Sequence, residues 1–572
     1  MTYRSPICLL AVIIPFLSLL SFSQASAQTL EDRVDRYIAS FPKYEEFHGV
    51  ILAAAGNKVY LHKGYGLASL EYNIPNIPDT KFQVGSISKA FTAILVLKMI
   101  EKGLIDLDAA INDYLPDYSK ETGEKVRIHH LLSHSSGIPH HYIAVPDYWI
   151  RHDKVFHTPR ELLQLFVNTP LAHEPGKQFT YSSPGFYILG AILEQVGKKS
   201  YAQLLREYIF VPLGMKDTRV ENNRTVQNHM ATGYMRGLTG LIHASFEDKS
   251  TALAAGDLVT SAQDLYLWDK GLKDSSDKIL SAESKQLLYK TIFPKQMFTY
   301  GGPVYKIPYD KGKRILTLNR LSGSSTGYTA AMDRFFEPDA CVIVLSNVQD
   351  ADTTRILDHV SDFLMRHYLG VQAGNPAPSV ITYSSSAEVF PADAQKILGF
   401  YRNPDGAISG VIRDGGKLYQ LRYSKGVFAE RAIRLVPESP DIYSLGHLPV
   451  FKCRFSIDEK DRALSFSILR SGRALSSAKK IETQNINVSE YAGHYTSVEL
   501  QKTFSFSPTL SGLTVEKFLG NESLRMIPLE KDLFGFDQGS LEFTRYPDGT
   551  ISGFKLVTKD VDTYFGSKFT KL

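Results

Sequence analysis

The feature that most constrains this sequence is a Ser-x-x-Lys pair, Ser86 and Lys89, at the head of an apolar run with helical periodicity from Ala90 to Ile100. Gly85 frees the backbone just before the run. Because residues three apart share one face of a helix, the Lys89 ammonium is predicted to reach the Ser86 hydroxyl. The unpaired N–H groups at the start of the helix also give Ser86 a positive environment.

This arrangement suits nucleophilic catalysis. A serine hydroxyl is a poor nucleophile without a neighbouring base, and a partly desolvated lysine can be that base because burial lowers the pKa of an ammonium. The same spacing occurs at Ser40, Ser275, Ser476 and Ser552, and none of these opens a long apolar helix after a strand-like run and a glycine. The position of the pair, and not its spacing alone, therefore carries the prediction.

The first 27 residues are predicted to be a signal peptide. Arg4 gives a basic start, Ile7 to Leu20 is apolar, and small residues end the segment at Ala27. The apolar stretch is short for a membrane span, although a retained anchor is the alternative. We expect a periplasmic or secreted protein that begins near Gln28 and has no stable membrane span after cleavage.

Charge and cysteine content exclude several classes of protein. Removing residues 1–27 takes away one charge, that of Arg4, so the net charge falls from +4 to +3, too little to suggest nucleic-acid binding. Cys341 and Cys453 remain, and they predict buried free thiols because each has apolar neighbours. No Cys/His cluster has metal-ligand spacing, so no metal or cofactor is expected.

The order of elements predicts one α/β unit of mixed order over residues 28–369. A helix is predicted at its start (30–41), two strands follow (47–53 and 58–63), and three strands and a helix close it (315–319, 328–335, 341–346 and 353–368). Helices fill the middle, while Ala255 to Leu265 is predicted to be a loop capped into a helix. Strands at both ends of the unit indicate a single core.

A composition break follows this unit. Residues 370–391 are rich in Pro, Ser, Ala and Gly and predict a linker. Beyond it, short strand-like runs predict two β-barrel-like modules, 392–482 and 486–571, with resembling segments at 398–401 and 491–495. A second resemblance joins 403–410 to 546–553, at a different place in its module.

Several further motifs occur in one consistent order. They are Leu131-Leu132-Ser133-His134-Ser135-Ser136-Gly137, Pro175-Gly176 leading to Phe179-Thr180-Tyr181-Ser182, Pro212 to Thr218, and Ala255-Gly256 with Ser261 to Leu265. With the Ser86 motif they resemble the superfamily of class C β-lactamases and D-Ala-D-Ala carboxypeptidases, which are serine hydrolases. The two C-terminal modules resemble the D-aminopeptidase branch. The resemblance implies an α+β fold, a β-lactamase-like domain with an antiparallel sheet flanked by helices, followed by two small antiparallel β-barrels.

The resemblance also implies roles for matching residues. Ser86 would form an acyl-enzyme, Lys89 would assist its deprotonation, and Tyr181 would carry the proton to and from the leaving group. The oxyanion hole would be the N–H groups of Ser86 and Ser324. His134 is either a catalytic base or, as we prefer, a residue that ties its turn together by hydrogen bonds.

Two positions depart from the family's pattern. The asparagine of Tyr-x-Asn is Ser183 here, and the Lys-Thr-Gly or His-x-Gly motif aligns with Leu321-Ser322-Gly323. The loss of a cation or imidazole at Leu321 argues against β-lactam hydrolysis and against a substrate with a free carboxylate. The resemblance therefore implies a hydrolase for a small molecule or short peptide, an amide or ester. The alternatives are a non-catalytic binding protein of the cell envelope, and barrels that themselves bind lipid or peptide.

Overall fold

The computed structural model describes residues 29–571, apart from a set of internal segments. These are 42–45, 146–147, 149–151, 237–240, 274–276, 311, 350, 372–395, 403–407, 415–416, 425–426, 429–432, 440, 446–447, 459–462, 471–472, 482–485, 498–501, 510–511, 517–522, 537–538 and 559–567. The expected signal peptide, nearly all of the linker and the first four residues of the first barrel module therefore lie outside the described residues.

The N-terminal unit alternates short strands with helices. Its helices are α1 (Leu30–Ala39), α2 (Ser88–Glu101), α3 (Ile111–Tyr114), α4 (Lys120–Gly123), α5 (Ile128–Leu132), α6 (His141–Ala144), α7 (Pro159–Gln164), α8 (Pro184–Gly197), α9 (Tyr201–Leu205), α10 (Val211–Leu213), α11 (Ala262–Lys273), α12 (Ala282–Leu288) and α13 (Thr353–Leu369). Its strands are β1 (Gly49–Ala55), β2 (Lys58–Tyr65), β3 (Leu67–Ser69), β4 (Ile74–Pro75), β5 (Lys81–Gln83), β6 (Arg219–Val220), β7 (Tyr234–Arg236), β8 (Leu241–His243), β9 (Leu258–Ser261), β10 (Phe298–Thr299), β11 (Gly302–Tyr309), β12 (Arg314–Ser325), β13 (Tyr328–Glu337) and β14 (Ala340–Ser346).

An antiparallel sheet of seven strands forms the centre of this unit. Its order is β10-β11-β12-β13-β14-β1-β2, so the two ends of the unit's sequence meet where β14 pairs with β1. All seven residues of β1 are buried, as the continuous apolar run Val50 to Ala55 requires of a strand covered on both faces. The fold is α+β with an antiparallel sheet, as the resemblance implied.

Helices cover both faces of the sheet. On one face, α1 and α13 bury Leu30, Val34 and Ile356 against β1, β13 and β14. On the other face lies a larger apolar core around α2 and α8. Helix α2 is buried on nearly every side, and Phe91 stacks on Trp268 of α11 with ring centroids 4.7 Å apart. An apolar sequence without a polar stripe fits such a central helix.

Two buried arginines join the sheet to its covering helices. Arg320 on β12 donates to both carboxylate oxygens of Asp333 and also to Asp358 of α13. Arg334 on β13 points to the opposite face and donates to Asp269 of α11 at 2.9 Å. Buried charges of this kind persist only when they are paired, so each arginine fixes one helix relative to the sheet.

The structure corrects two details of the sequence-based assignment. Leu258–Ser261, expected in a loop, is strand β9, which pairs with β5 and β6. The eight-residue strand β11, Gly302–Tyr309, was missed. The predicted strand pairs, the first and last helices and the helix after Ser86 are confirmed, and Cys341 and Cys453 are buried free thiols. Among the described residues, no helix is long and apolar enough to span a membrane.

Beyond residue 396 the described chain is almost entirely β-strand. The first group of strands is β15 (Gly399–Arg402), β16 (Ile408–Asp414), β17 (Lys417–Ser424), β18 (Val427–Phe428), β19 (Ile433–Pro437), β20 (Ile442–Leu445), β21 (Leu448–Ile457), β22 (Ala463–Arg470) and β23 (Arg473–Lys480). The second is β24 (Gly493–Ser497), β25 (Lys502–Thr509), β26 (Gly512–Glu516), β27 (Ser523–Glu530), β28 (Leu533–Phe536), β29 (Gly539–Arg545), β30 (Ile551–Thr558) and β31 (Lys568–Lys571).

Both groups close into rings. In the first, β16 pairs with β15 and with β17, which closes the ring β15-β23-β22-β21-β20-β19-β17-β16 and leaves β18 paired outside it. In the second, β24 through β31 form a closed barrel. The expected repeat is visible in atomic contacts: Tyr401 donates to the carbonyl of Ile397 at 2.7 Å, and Tyr495 donates to that of Tyr491 at 2.8 Å.

The separate apolar cores of the two barrels and the composition of residues 370–391 predict that the barrels fold independently of the sheet-and-helix unit. Limited proteolysis of the purified protein is expected to cleave first between residues 370 and 391 and to leave a stable N-terminal fragment. Mass spectrometry of the early products measures this. First cleavage within either barrel, or immediate aggregation of the N-terminal fragment, would instead indicate one interlocked core.

Candidate active site

Ser86 lies in a tight turn between strand β5 and helix α2. The turn, Gly85–Ile87, is a single 3₁₀ turn that continues into α2. Ser88 holds it closed, because its hydroxyl donates to the Gly85 carbonyl at 2.7 Å and accepts the Leu258 N–H at 3.1 Å. The apolar helix is anchored in the core, so the turn presents Ser86 from a rigid base.

Lys89 and Tyr181 both contact the Ser86 hydroxyl. The Lys89 Nζ lies 3.2 Å from Ser86 Oγ and also donates to the Ala255 carbonyl at 2.7 Å. The Tyr181 hydroxyl donates to Ser86 Oγ at 2.8 Å, and the Lys89 ammonium lies 5.0 Å from the centre of the Tyr181 ring. Lys89 is buried, whereas Tyr181 is 38% exposed. The three predicted residues, 95 positions apart in sequence at most, thus form one cluster at the surface.

Strand β12 packs its backbone directly against this turn. A Cβ on Gly323 would lie 2.0 Å from the Val84 carbonyl oxygen and 2.7 Å from the Ser86 nitrogen. Gly85 has φ +49°, and a Cβ there would lie 2.4 Å from the Ser324 carbonyl oxygen. Glycine is required at both positions, since any side chain would separate the backbones. The backbones of Ser86 and Ser324 are therefore neighbours, as an oxyanion hole made of their N–H groups needs.

Leu321 differs in exposure from the serines that follow it on β12. Leu321 is 6% exposed and belongs to the main apolar core, where its side chain packs beside Gly302 of β11. Ser322 and Ser324 are exposed. Leu321 thus offers apolar contact only, and most of its surface is already used by the protein.

Ser183, which replaces the asparagine of the family's Tyr-x-Asn motif, has a histidine beside it. It is buried, and its hydroxyl lies 3.4 Å from the Nε2 of His140. The His140 ring is stacked near Tyr181, with centroids 5.9 Å apart. Burial, with a smaller contribution from Lys89, lowers the pKa of His140 to about 4, so the imidazole is neutral at pH 7. Two neighbouring polar groups, Ser183 and His140, therefore lie where the family's pattern has one asparagine.

His134 has the structural role that we preferred. Its Nδ1 accepts the Ser182 N–H at 3.1 Å, and its carbonyl accepts the Thr180 N–H at 2.7 Å, which ties the loop that carries Tyr181 to the turn at residue 134. Its ring packs against Tyr181 at 4.4 Å between centroids. Burial lowers the pKa of His134 well below its usual value. His134 is therefore a neutral support for Tyr181.

Asp257 is a buried acid behind Lys89. It accepts the Ala254 N–H at 2.9 Å, and its other oxygen finds no hydrogen-bond partner in the described part of the chain. Burial raises the pKa of Asp257 to about 7, against smaller opposing effects that include Lys89 and Lys249. The residue thereby shapes the loop whose Ala255 carbonyl holds Lys89.

Sequence reasoning missed His140 and Asp257. His140 follows the Ser133–Gly137 motif closely, but nothing in the sequence pairs it with Ser183. Asp257 directly follows the motif residues Ala255-Gly256, and only the structure reveals its burial. No group of three or more His, Cys, Asp or Glu residues that could hold a metal ion occurs in the described ranges.

The family model for beta-lactamase matches residues 34–364. Among curated proteins, penicillin-binding protein 4* of Bacillus subtilis (strain 168) is 25% identical over 446 residues, which covers 75% of this chain and 94% of that protein. Protein flp of Staphylococcus aureus (strain MW2) is 26% identical over 326 residues, 55% of this chain and 63% of that protein, so less than two thirds of its length is matched.

Two solved structures have the same fold. The octameric penicillin-binding protein homologue from Pyrococcus abyssi gives a TM-score of 0.54 at 24% identity and covers 79% of this chain and 99% of its own. D-amino acid amidase from Ochrobactrum anthropi SV3, complexed with L-phenylalanine, gives 0.50 at 24% identity over 60% of this chain and 98% of its own.

Asp257 generates a pH-dependent prediction. Because its pKa is raised on folding, the folded chain retains a proton that the unfolded chain loses, so stability is lost as pH rises from about 4 through about 7. Asp257→Asn keeps an acceptor for Ala254 N–H and removes the ionisation. We expect it to exceed wild type in unfolding free energy by on the order of 2 kcal/mol at pH 8 and by much less at pH 4.

Urea unfolding between pH 4 and pH 8 measures this difference. Asp277→Asn, at an exposed aspartate, is the matched control and should follow wild type. A difference between Asp257→Asn and wild type that is constant with pH would contradict the assignment.

Proposed function

The chain belongs to the beta-lactamase family, and from this we propose that it is an exported serine hydrolase that cleaves a small amide or ester through an acyl-enzyme on Ser86. One observation carries the proposal: Ser86 is partly exposed, and its Oγ lies within hydrogen-bond distance of both the Lys89 ammonium and the Tyr181 hydroxyl. A nucleophile in contact with its proton acceptor is the geometry that acyl transfer needs.

In the acylation step, Ser86 Oγ attacks the substrate carbonyl carbon as its proton passes to Tyr181, which reacts as the phenolate while the neighbouring Lys89 ammonium offsets the negative charge. The C–O bond to Ser86 forms, and the carbonyl oxygen becomes an oxyanion. When the tetrahedral intermediate collapses, the bond to the leaving amine or alcohol breaks, and Tyr181 returns a proton to that group. Water then attacks the carbonyl carbon of the acyl-enzyme, and Tyr181 takes a proton from the water and returns it to Ser86 Oγ. The ester bond to Ser86 breaks, which releases the acid and regenerates Ser86.

The oxyanion is stabilised by the N–H groups of Ser86 and Ser324. Backbone donors that point to where charge develops lower the barrier because they need no rearrangement during the reaction. The close packing of Gly323 on the Ser86 turn supports this role, since it keeps the two backbones in a fixed relation. Loss of one such donor in other enzymes costs about 10²–10³ in rate.

The substrate is a neutral amide or ester, such as a D-amino-acid amide, a short peptide or an ester. Ser183 and His140 offer hydrogen bonds without charge, and Leu321 offers only apolar contact. A carboxylate placed beside Leu321 would lose water without gaining a partner, which is costly. Similarity to D-amino acid amidase and to penicillin-binding proteins is compatible with this class.

A non-catalytic protein of the cell envelope that binds the same ligands is the alternative. It is favoured by the departures at Ser183 and Leu321 from the family's pattern. It is opposed by the contacts among Ser86, Lys89 and Tyr181, which a binding site has no need to maintain.

The nucleophile is tested with a fluorescent acylating probe. We expect labelling of the peptide that contains Ser86, none in Ser86→Ala, and a decrease in substrate turnover of about 10²-fold or more in Lys89→Ala and in Tyr181→Phe, the scale of general acid–base catalysis. Mass spectrometry locates the adduct, and circular dichroism checks that the variants fold.

Ser476→Ala is the matched control, because Ser476 begins another Ser-x-x-Lys spacing, on strand β23. The acylating probe should label this variant as strongly as it labels wild type. Labelling of wild type without turnover of any amide or ester would favour the binding protein, and labelling that survives Ser86→Ala would refute the assigned nucleophile.

The preference for neutral substrates is tested with a matched pair, an ester and the same compound with a free carboxylate on that side. We expect wild type to have at least about tenfold higher kcat/KM for the ester, because the buried carboxylate lacks a partner. Leu321→Lys should narrow that ratio, whereas Leu321→Met, which conserves volume, should not change it. A free acid that is already preferred by wild type would contradict the proposal.

A further inference from the structure

An open pocket of about 920 Å³ lies at the end of the sheet remote from Ser86. It is bounded by the turn after β1, by α10, by the last turns of α11 and α12, and by the end of β13. Tyr328 begins β13 beside the Ser86 site, and Arg334 of the pocket is six residues further along, about 20 Å at the rise of a β-strand. The pocket is therefore separate from the candidate active site.

The lining is apolar on one side and cationic on the other. Apolar surface comes from Leu213, Leu267 and Phe336, while five basic residues line the rest. These are Lys270, Lys273, Lys278, Lys285 and Arg334, against one lining acid, Asp339. The volume is in the range of small-molecule sites, and the division into apolar and charged walls matches an amphipathic anion.

A second observation that points to a ligand in this pocket, independent of the lining, is the hydrogen bonding of Arg334. The residue is 1% exposed, and its guanidinium donates to Asp269 through Nε and to Asn319 and Tyr289 through Nη1. Its Nη2 has no hydrogen-bond partner among the residues that the structure describes. A buried guanidinium nitrogen without an acceptor is unfavourable, so an oxygen supplied by a ligand would complete the group.

The charges around Arg334 do not balance. Asp339 is shared by Lys270 at 2.9 Å and Lys273 at 3.0 Å, and Asp269 is shared by Lys273 at 2.8 Å and Arg334 at 2.9 Å. Three cations thus face two carboxylates, and Lys278 and Lys285 add further positive charge to the wall of the pocket. This excess of positive charge suits an anionic head group.

We propose that this pocket binds a small amphipathic anion such as a medium-chain carboxylate, with its head group at Arg334 and Lys273 and its apolar body against Leu213, Leu267 and Phe336. The bound head group accepts a hydrogen bond from Nη2 of Arg334 and offsets part of the excess positive charge. The pocket is independent of the hydrolase proposal, because none of its lining residues belongs to the Ser86 site.

Octanoate is the probe, titrated calorimetrically into the full mature chain. We expect one octanoate per chain with a Kd of about 1 mM or tighter, at least tenfold weaker binding of octan-1-ol, and no binding of octylammonium. The double charge reversal Lys278→Glu/Lys285→Glu should weaken octanoate binding at least tenfold. Lys295→Glu, at an exposed lysine outside the pocket, is the matched control and should bind as wild type does.

A local readout distinguishes this pocket from the Ser86 site. Trp268 lies 4.5 Å from the Arg334 guanidinium, and the chain's other tryptophan, Trp149, can be replaced by phenylalanine. In Trp149→Phe, octanoate should change the fluorescence of Trp268 with the same Kd that calorimetry gives. The same change should occur after Ser86 has been acylated by the acylating probe. No binding, equal binding of octan-1-ol, no effect of the charge reversal, or loss of binding on acylation would each overturn the proposal.

Discussion

The candidate active site depends on a contact between two stretches of backbone. Strand β12 lies so close to the Ser86 turn that Gly85 and Gly323 have no room for a Cβ. This contact joins the central sheet to helix α2 and places Ser324 beside Ser86. The nucleophile and the proposed oxyanion donors therefore belong to two elements that cannot move apart without unpacking the core, which is the preorganisation that acyl transfer requires.

Lys89 is likewise held in place by buried backbone. Its helix is buried on nearly all sides, and its ammonium is held by the carbonyl of Ala255, in a loop that Asp257 shapes through Ala254. The charged group is thus fixed by a neutral backbone acceptor instead of a carboxylate. An ion pair at that point would compete with Ser86 for the ammonium, so the choice of partner leaves Lys89 available to the hydroxyl.

Much of this arrangement could be predicted from the sequence, and there are physical reasons why the rest could not. The Ser86–Lys89 spacing and the terminal strands are local patterns, and they predicted the catalytic pair and a single core. The order of motifs carried the resemblance, and the resemblance implied the fold class and the role of Tyr181. Strand β9 was missed because its four residues are fixed by pairing with β5, not by their own periodicity. His140 beside Ser183, and Arg334 between Asp269 and Tyr289, are contacts between distant segments, and no local pattern indicates them.

The barrels close on themselves, and this has a consequence for association between chains. A sheet edge exposes N–H and C=O groups that can pair with a strand of another molecule and begin aggregation. Within the described strands, each ring uses both sides of every member, and the strand outside the first ring, β18, lies beside β28 and β29 of the second. The described strands of the two barrels therefore offer little template for intermolecular pairing, even though they are short and rich in polar residues.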